Sequence, residues 1–283
     1  MTDYPFTFKC NNNCITCINN TEIVSKRRDP PVDEIKRVID RIDPRVDYFG
    51  VGGGEPTLSE HFFDLLRYAR KKHPNLYIFI TTNGRMFHYE EFAKKLADLQ
   101  LGNFLVAVAL YGHTPELHDF ITRVRGSFEQ TISGIENLLK HKIPVEIRVI
   151  INRFNYKHLP EIAMLVSKRF PKIKRFVFVN MKYTGNAFIN REKVFVRISE
   201  VVPYALEGVK ILKGVGINTR LYHFPLCILP EEYREIAKGV TKAEEEELTF
   251  VKACEECKLR DQCPRIWKTY VALFGEEEFK PIR

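Results

Sequence analysis

The chemistry in this chain is carried by its seven cysteines, which fall into two groups. Cys10, Cys14 and Cys17 stand three and then two residues apart near the start, and Cys227, Cys254, Cys257 and Cys263 lie in the last quarter. An odd number of thiols, behind a start (Met1-Thr-Asp-Tyr-Pro) without the basic-then-apolar pattern of an export signal, argues against a disulfide framework and for metal ligation or redox chemistry. Thiolates are soft ligands that select zinc or iron–sulfur centres. Three of them leave one metal position open to a further ligand, whereas four close a site. The competing reading of the first group is a zinc knuckle or three buried thiols. For the second group it is an all-cysteine zinc site, because the Cys254-x2-Cys257 half is shared with zinc ribbons. A redox dithiol at Cys254 and Cys257 is disfavoured by charged surroundings unlike the start of a helix after a buried strand.

These thiols need a scaffold, and the periodicity of the remaining sequence describes one. Short β-branched or aromatic runs at Pro5–Lys9, Asp47–Val51, Leu76–Thr81, Phe104–Leu110, Val145–Ile151 and Arg175–Asn180 alternate with amphipathic stretches. Those stretches are Asp33–Ile42, Ser59–Lys72, Tyr89–Leu99, Ser127–His141 and Leu159–Arg169, followed by a helix at Val196–Leu212 and a strand-like Gly216–Leu221. In Ser127–His141, apolar Phe128, Ile132, Ile135, Leu138 and Leu139 recur at spacings of three and four, with Ser127 available as N-cap. Strand–helix alternation of this kind produces parallel sheets, so the expected fold is α/β, a partial (β/α)6 TIM-like barrel over residues 1–222 with a small cysteine-rich C-terminal domain over 223–283. The later segment is too short and charged for a core of its own and needs a metal to hold it. In it Trp267, Tyr270 and Phe274 read as a hydrophobic stripe docking the tail on the barrel, and Glu244–Glu247 as a solvated helix face. A chain of 283 residues with 45% apolar composition can build both parts. No run approaches the roughly twenty apolar residues that span a bilayer, so the expectation is a cytoplasmic protein with no membrane partner.

Ligands collect at the carboxyl ends of parallel strands, so the residues just after each strand are the ones to read. The first strand is followed by Cys10-Asn-Asn-Asn-Cys14-Ile-Thr-Cys17, the second by Gly52-Gly53-Gly54-Glu55-Pro56-Thr57, and the third by Thr82-Asn83-Gly84. A dinucleotide fingerprint is not satisfied, because its third glycine falls on Glu55 or Thr57. The cysteine spacing together with Gly53-Gly54-Glu55-Pro56 closely resembles the radical S-adenosylmethionine (SAM) superfamily. The resemblance implies a [4Fe–4S] cluster on Cys10, Cys14 and Cys17, with SAM on the open iron and its ammonium met by Gly53, Gly54, Glu55 and Pro56. Glycines let carbonyls approach a bound cation, Glu55 can compensate its charge, and Pro56 fixes the turn. Asn83, Arg148, Asn152 and the Met181–Asn186 segment occupy places where the family contacts SAM. Arg148 reads equally as an ion pair with Glu146 or Glu55 inside the barrel, and Asn83 as the cap of the next helix. The position before the third cysteine, commonly aromatic and packed on the adenine, is Thr16 here, leaving that stacking to Phe8 or Tyr4.

The four later cysteines supply a closed cluster, and the tail is similar to the auxiliary-cluster segments called twitch and SPASM. Within that group, Pro225-Leu226-Cys227-Ile228-Leu229-Pro230, the later cysteines, and His118-Asp119 with Arg125-Gly126-Ser127-Phe128-Glu129 resemble the radical SAM maturase of the His-Xaa-Ser peptide-modification system. For His118 and Asp119 themselves, a surface ion pair or cap is the reading preferred over acid–base catalysis. The resemblance implies hydrogen abstraction from a peptide or protein substrate, with electrons from a reductant such as ferredoxin or flavodoxin. Two alternatives stand beside it. The net charge of +8, with Lys168-Arg169 and Lys172–Arg175, fits an enzyme acting on tRNA or another RNA, and a metal-binding module without catalysis needs only the cysteines.

Overall fold

The computed structural model describes residues 3–43, 45–46, 48–238 and 246–283. Met1, Asp47 at the start of the second expected strand, and Glu244 and Glu245 of the acidic run lie outside the described residues. Seven strands form one parallel sheet in chain order: β1 Tyr4–Thr7, β2 Tyr48–Gly53, β3 Tyr77–Thr82, β4 Phe104–Ala109, β5 Val145–Ile151, β6 Arg175–Asn180 and β7 Thr219–Tyr222. The helices between them are α1 Thr21–Val24, α2 Val32–Asp40, α3 Phe62–Lys72, α4 Glu90–Asp98, α5 Pro115–Thr122, α6 Ser127–Lys140, α7 Leu159–Arg169, α8 Gly185–Ile189, α9 Arg191–Val194 and α10 Ile198–Gly214. The six expected strands pair in the expected sequence, and the strand-like stretch before Tyr222 joins them as a seventh.

Alternation along each strand divides the apolar residues between two faces. Phe49, Ile78, Ile80, Val106, Val108, Ile147, Val149, Phe176 and Phe178 are buried in the main core with the helices. A second, smaller cluster of Phe79, Leu105 and Ala107, with Tyr48 and Tyr77 against it, fills the other face. That face is curled. The guanidinium of Arg148 on β5 lies 4.6 Å from the Phe79 ring of β3 and 5.7 Å from the Tyr222 ring of β7. On a flat sheet each would stand two strand spacings, about 9.6 Å, to the side. The bore is charged as well as aromatic, because fully buried Glu146 pairs with both Arg148 and Arg175.

The tail, with β8 Leu248–Thr249, β9 Ile266–Trp267 and α11 Lys268–Phe274, packs into the main core. Trp267 donates from its indole to the Asn180 carbonyl at the end of β6, and Tyr270 receives the Ile198 amide at the start of α10. Tyr183, Phe195, Tyr270 and Phe274 form one aromatic stack, so the expected Trp267–Tyr270–Phe274 stripe is the docking face. Ser127 does not cap α6. It is the helix's first residue, and the capping is done by Asp119, whose carboxylate accepts from the Gly126 and Phe128 amides and the Ser127 hydroxyl. Among the described residues no helix is long and apolar enough to cross a membrane.

Candidate functional site

The cysteine loop leaves β1 at the carboxyl edge of the sheet and is clamped by three neighbours. Behind it, the amides of Asn13 and Ile15 donate to the Thr122 and Ile121 carbonyls of α5. From the turn after β3, Arg85 donates to the Asn12 side chain at 2.8 Å and to the Asn11 carbonyl, while Asn83 donates to the Asn11 side chain at 2.7 Å. From α8, the Asn186 amide side chain reaches the Cys14 carbonyl at 3.1 Å and the Ala187 amide reaches that of Cys17. The loop's shape is therefore set by segments remote in sequence.

The three thiols are free and lie near one another. Burial pushes the Cys10 thiol up to about 12, against a hydrogen bond from the Asn12 amide; burial followed by the closeness of Cys17 and Cys10 pushes Cys14 higher still. The hydroxyl of Tyr111, just past β4, is bonded to the Cys14 thiol and close enough to Cys10 and Cys17 to feel both. Cys10 is exposed and Cys14 and Cys17 half-buried at the surface of the loop, and three thiols this close repel as thiolates, so the set ionises together only with a cation to compensate it. Thr16 between Cys14 and Cys17 adds a buried hydroxyl with no hydrogen-bond partner among the described residues.

The Gly-Gly-Glu-Pro run closes the other side. The amides of Gly54 and Glu55 donate to the Thr7 and Lys9 carbonyls, extending the β1–β2 pairing into the cysteine loop. A Cβ at Gly53, where φ is +119°, would collide with the Thr7 carbonyl, and one at Gly54 with those of Phe8 and Lys9. With those two N–H groups spent, this backbone has carbonyls rather than amides to offer an ammonium, those of Gly53 and Glu55 already accepting one bond each, from the Asn19 side chain and the Leu58 amide. The Glu55 carboxylate is buried and committed elsewhere. It accepts from the Thr57 amide and hydroxyl, the Thr82 hydroxyl at 2.6 Å and the Asn83 amide at 2.7 Å. Burial raises its pKa while those four donors oppose the rise. The side chain thus bolts the end of β2 to the end of β3, and Pro56 opens the short turn Pro56–Leu58 behind it.

Other expected contacts are distributed as follows. Asn83 caps the turn Arg85–His88 by accepting the Arg85 amide, and also holds the cysteine loop. Arg148 is in the Glu146 ion pair at 2.5 Å. Asn152 is fully buried and bonded within its own turn, to the Phe154 amide and the Ile150 carbonyl. Tyr4 bonds Glu34 of α2, and Phe8 stays beside the cysteine loop with Arg27 over its ring. His118 is not a surface residue. It is buried, and its Nδ1 accepts the Tyr111 amide at 3.2 Å.

That bond fixes His118 as neutral, and burial holds its pKa down at about 4. In the unfolded chain the ring titrates near 6.5, so between roughly pH 6.5 and 4 the unfolded state binds the extra proton and stability falls as pH falls, by up to about 3 kcal/mol. Thermal melts of iron-free protein over that range should show the decline. His118→Asn supplies a non-titrating acceptor and should flatten it; an unchanged slope would remove His118 from the account.

A family model described as the radical SAM superfamily matches residues 4–166. The chain belongs to the radical SAM superfamily. It is 28% identical over 219 residues to Fe-coproporphyrin III synthase of Methanosarcina barkeri, covering 75% of this chain and 52% of that protein. It is 33% identical over 170 residues to mycofactocin maturase MftC of Mycobacterium tuberculosis, covering 58% of this chain and 41% of that one. The chain thus spans about half the length or less of these relatives. Streptococcus suis SuiB, solved with its precursor peptide SuiA, superposes with a TM-score of 0.62 at 17% identity over 76% of this chain and 47% of that one, a likeness of fold.

Radical SAM enzymes bind a [4Fe–4S] cluster and SAM, and the strand-end residues fit both. Three thiols converge on one loop beside an unpartnered hydroxyl, and a carbonyl-rich Gly-Gly-Glu backbone lies against the same loop. Among the described residues no three His, Cys, Asp or Glu side chains close on one point as ligands of a single ion do. A cluster asks for a wider set, one thiolate per iron. The four later cysteines line one cavity together with Phe250, Arg260, Arg265 and Lys280. Burial pushes the Cys227 thiol up to about 11, while the Lys280 amide is bonded to it; the Leu226 and Arg265 amides are bonded to Cys263. Basic side chains and directed amides suit a set of thiolates carrying net negative charge. The sequence did not single out Tyr111 or Arg85, and Asn186, at the end of the Met181–Asn186 segment expected to contact SAM, holds the Cys14 carbonyl of the cysteine loop. The sole signal for Tyr111 and Arg85 was their place just beyond the ends of β4 and β3.

Proposed function

We propose that Cys10, Cys14 and Cys17 hold a [4Fe–4S] cluster with one open iron, that SAM binds there against Gly53–Pro56, and that the chain modifies a peptide by hydrogen abstraction. Residues 1–222 form the catalytic barrel in this reading, and residues 223–283 carry a second, closed cluster on Cys227, Cys254, Cys257 and Cys263. The observation that carries it is the trio of coupled thiols on a loop clamped over the strand ends of a chain in this superfamily. When bound and reduced, the cluster would supply the one electron with which SAM is cleaved to methionine and a 5′-deoxyadenosyl radical. The protein's own residues prepare for that. Carbonyls of the Gly-Gly-Glu run receive the ammonium, Glu55 and Asn83 hold that run in place, and Tyr111 directs its hydroxyl at the thiol of Cys14. Phe79, Tyr222 and the Arg148–Glu146–Arg175 cluster pack the inner face below the strand ends and form the floor of the site.

A peptide substrate is supported by the maturase among the relatives and by the peptide-bound structure of the same fold. One relative is named as a synthase of Fe-coproporphyrin III, so a tetrapyrrole precursor of that product is the small-molecule control. The electron donor is a ferredoxin or flavodoxin. The test is anaerobic reconstitution followed by dithionite and SAM. We expect about eight iron and eight sulfide per chain and release of 5′-deoxyadenosine, raised by a substrate peptide. Zinc in place of iron, or iron without 5′-deoxyadenosine, would overturn the reading; salt-dependent tRNA binding at low ionic strength would move it to RNA.

A further inference from the structure

Large apolar side chains left in solvent are concentrated around the back of the cysteine loop. Ile18, Ile23, Phe120, Phe188 and Ile189 are between 44% and 59% exposed, and every one belongs to the loop or to a helix hydrogen-bonded to it. Ile18 follows Cys17. Ile23 lies on α1, whose Thr21 is bonded to Asn13 and Asn186. Phe120 lies on α5, which receives the Asn13 and Ile15 amides, and Phe188 and Ile189 on α8, which is bonded to the Cys14 and Cys17 carbonyls. Between α5 and α9 a groove opens on Ile15 itself, walled by Phe120, Phe154, Arg123, Arg153 and Lys193. Phe120 and Phe154 meet edge to face at 4.9 Å, and Arg123 bridges to Asn190. Asp119 and Glu192 also line it, but the Asp119 carboxylate is consumed in capping α6. Lys26, Arg27 and Arg28, all exposed, follow α1, with Glu22 on that helix and Asp29 after them, the latter taken up by Thr7, Phe8 and Lys9.

Exposed apolar side chains gathered on elements bonded to one loop, beside a groove walled by aromatic and arginine side chains, mark a protein-binding face, and the basic rim asks for an acidic partner. Position narrows the kind of partner. The groove is lined by Ile15 and by none of the three cysteines, so a molecule seated there lies behind the loop and cannot present a bond to the thiol side. An electron needs no such contact. We propose that the outer face of the cysteine loop is the docking surface for a small acidic one-electron carrier protein, an inference that rests on the radical SAM reading above. The carrier is oxidised by one electron and the site within the loop is reduced by one; no covalent bond or proton need move in the transfer.

The test uses the reconstituted full chain with an acidic flavodoxin as probe and cytochrome c, a basic carrier, as control. The variant is Arg123→Glu, Arg153→Glu and Lys193→Glu together, all exposed and outside the SAM site. Its counterpart, Lys168→Glu, Lys172→Glu and Lys174→Glu, makes the same charge change at the opposite end of the strands. The native chain should bind flavodoxin more tightly at low than at high ionic strength, and cytochrome c weakly. The groove variant should lose about tenfold or more in flavodoxin affinity and as much in flavodoxin-driven SAM cleavage, with dithionite-driven cleavage unchanged; the counterpart should lose little in either. Failure of native protein to bind flavodoxin, equal losses in both variants, or weakened binding of tRNA alone would each overturn the proposal. Loss of dithionite-driven cleavage in native protein, with flavodoxin binding intact, would instead strike the functional reading.

Discussion

Cys14→Ala is expected to reduce dithionite-driven release of 5′-deoxyadenosine to background, a loss beyond the roughly 10–100-fold that a missing outer partner costs a metal site. Cys14 is the central thiol of the first set, with the Tyr111 hydroxyl on its sulfur and Asn186 on its carbonyl. Removing its sulfur leaves two ligands and an unfilled space where the Tyr111 hydroxyl loses its partner. Iron analysis of the same variant should show the first cluster missing, about four iron in place of about eight. Cleavage of SAM at an appreciable fraction of the native rate by this variant would mean that the three-cysteine loop is not the site of chemistry.

The second large effect is a contrast. Cys257→Ala should also halve the iron, yet leave dithionite-driven SAM cleavage within a few-fold of native while turnover of the substrate collapses. The reason is spatial. The four later cysteines line their own cavity in the tail with Arg260, Arg265 and Lys280, whereas the first three lie at the ends of β1–β4 among Arg85, Asn83 and Tyr111. The docking stripe of Trp267, Tyr270 and Phe274 binds the tail to β6 and α10 independently of Cys257, so the variant keeps its fold. Equal and complete loss of cleavage in both variants would collapse the division into a catalytic set of three and a supporting set of four.

The roles of individual polar residues divide along the same line as their partners' distance in sequence. Asn83 capping the turn after β3, and Arg148 pairing with Glu146 two residues back on the same strand, were open readings of the sequence, because both partners are local. The second arm of each was not. Asn83 also holds Asn11, and Glu146 also holds Arg175 from β6. Glu55 is the clearest case. Its spacing after two glycines resembles a SAM contact, but Thr82 and Asn83, brought beside it by β2–β3 pairing, take its carboxylate into the scaffold.

By itself the sequence determined the parallel order of strands and helices and the partition of seven thiols into three and four. Both are written largely in short-range spacing: apolar periods of two and of three to four, and cysteines two to five residues apart in Cys10–Cys14–Cys17 and Cys254–Cys257–Cys263, with Cys227 alone standing off in sequence. Tertiary structure alone decided which distant side chains meet the cysteine loop, Tyr111 at a thiol and Arg85 and Asn186 at its backbone. Tyr111, Arg85 and Asn186 arrive on three different strand ends, and parallel crossovers place those ends side by side at separations of tens of residues. The curl of the sheet that brings Arg148 against Phe79 and Tyr222, and the apolar collar outside the cysteine loop, are likewise properties of packing. No local period in the chain encodes them, because each depends on surfaces that exist only after the strands have paired.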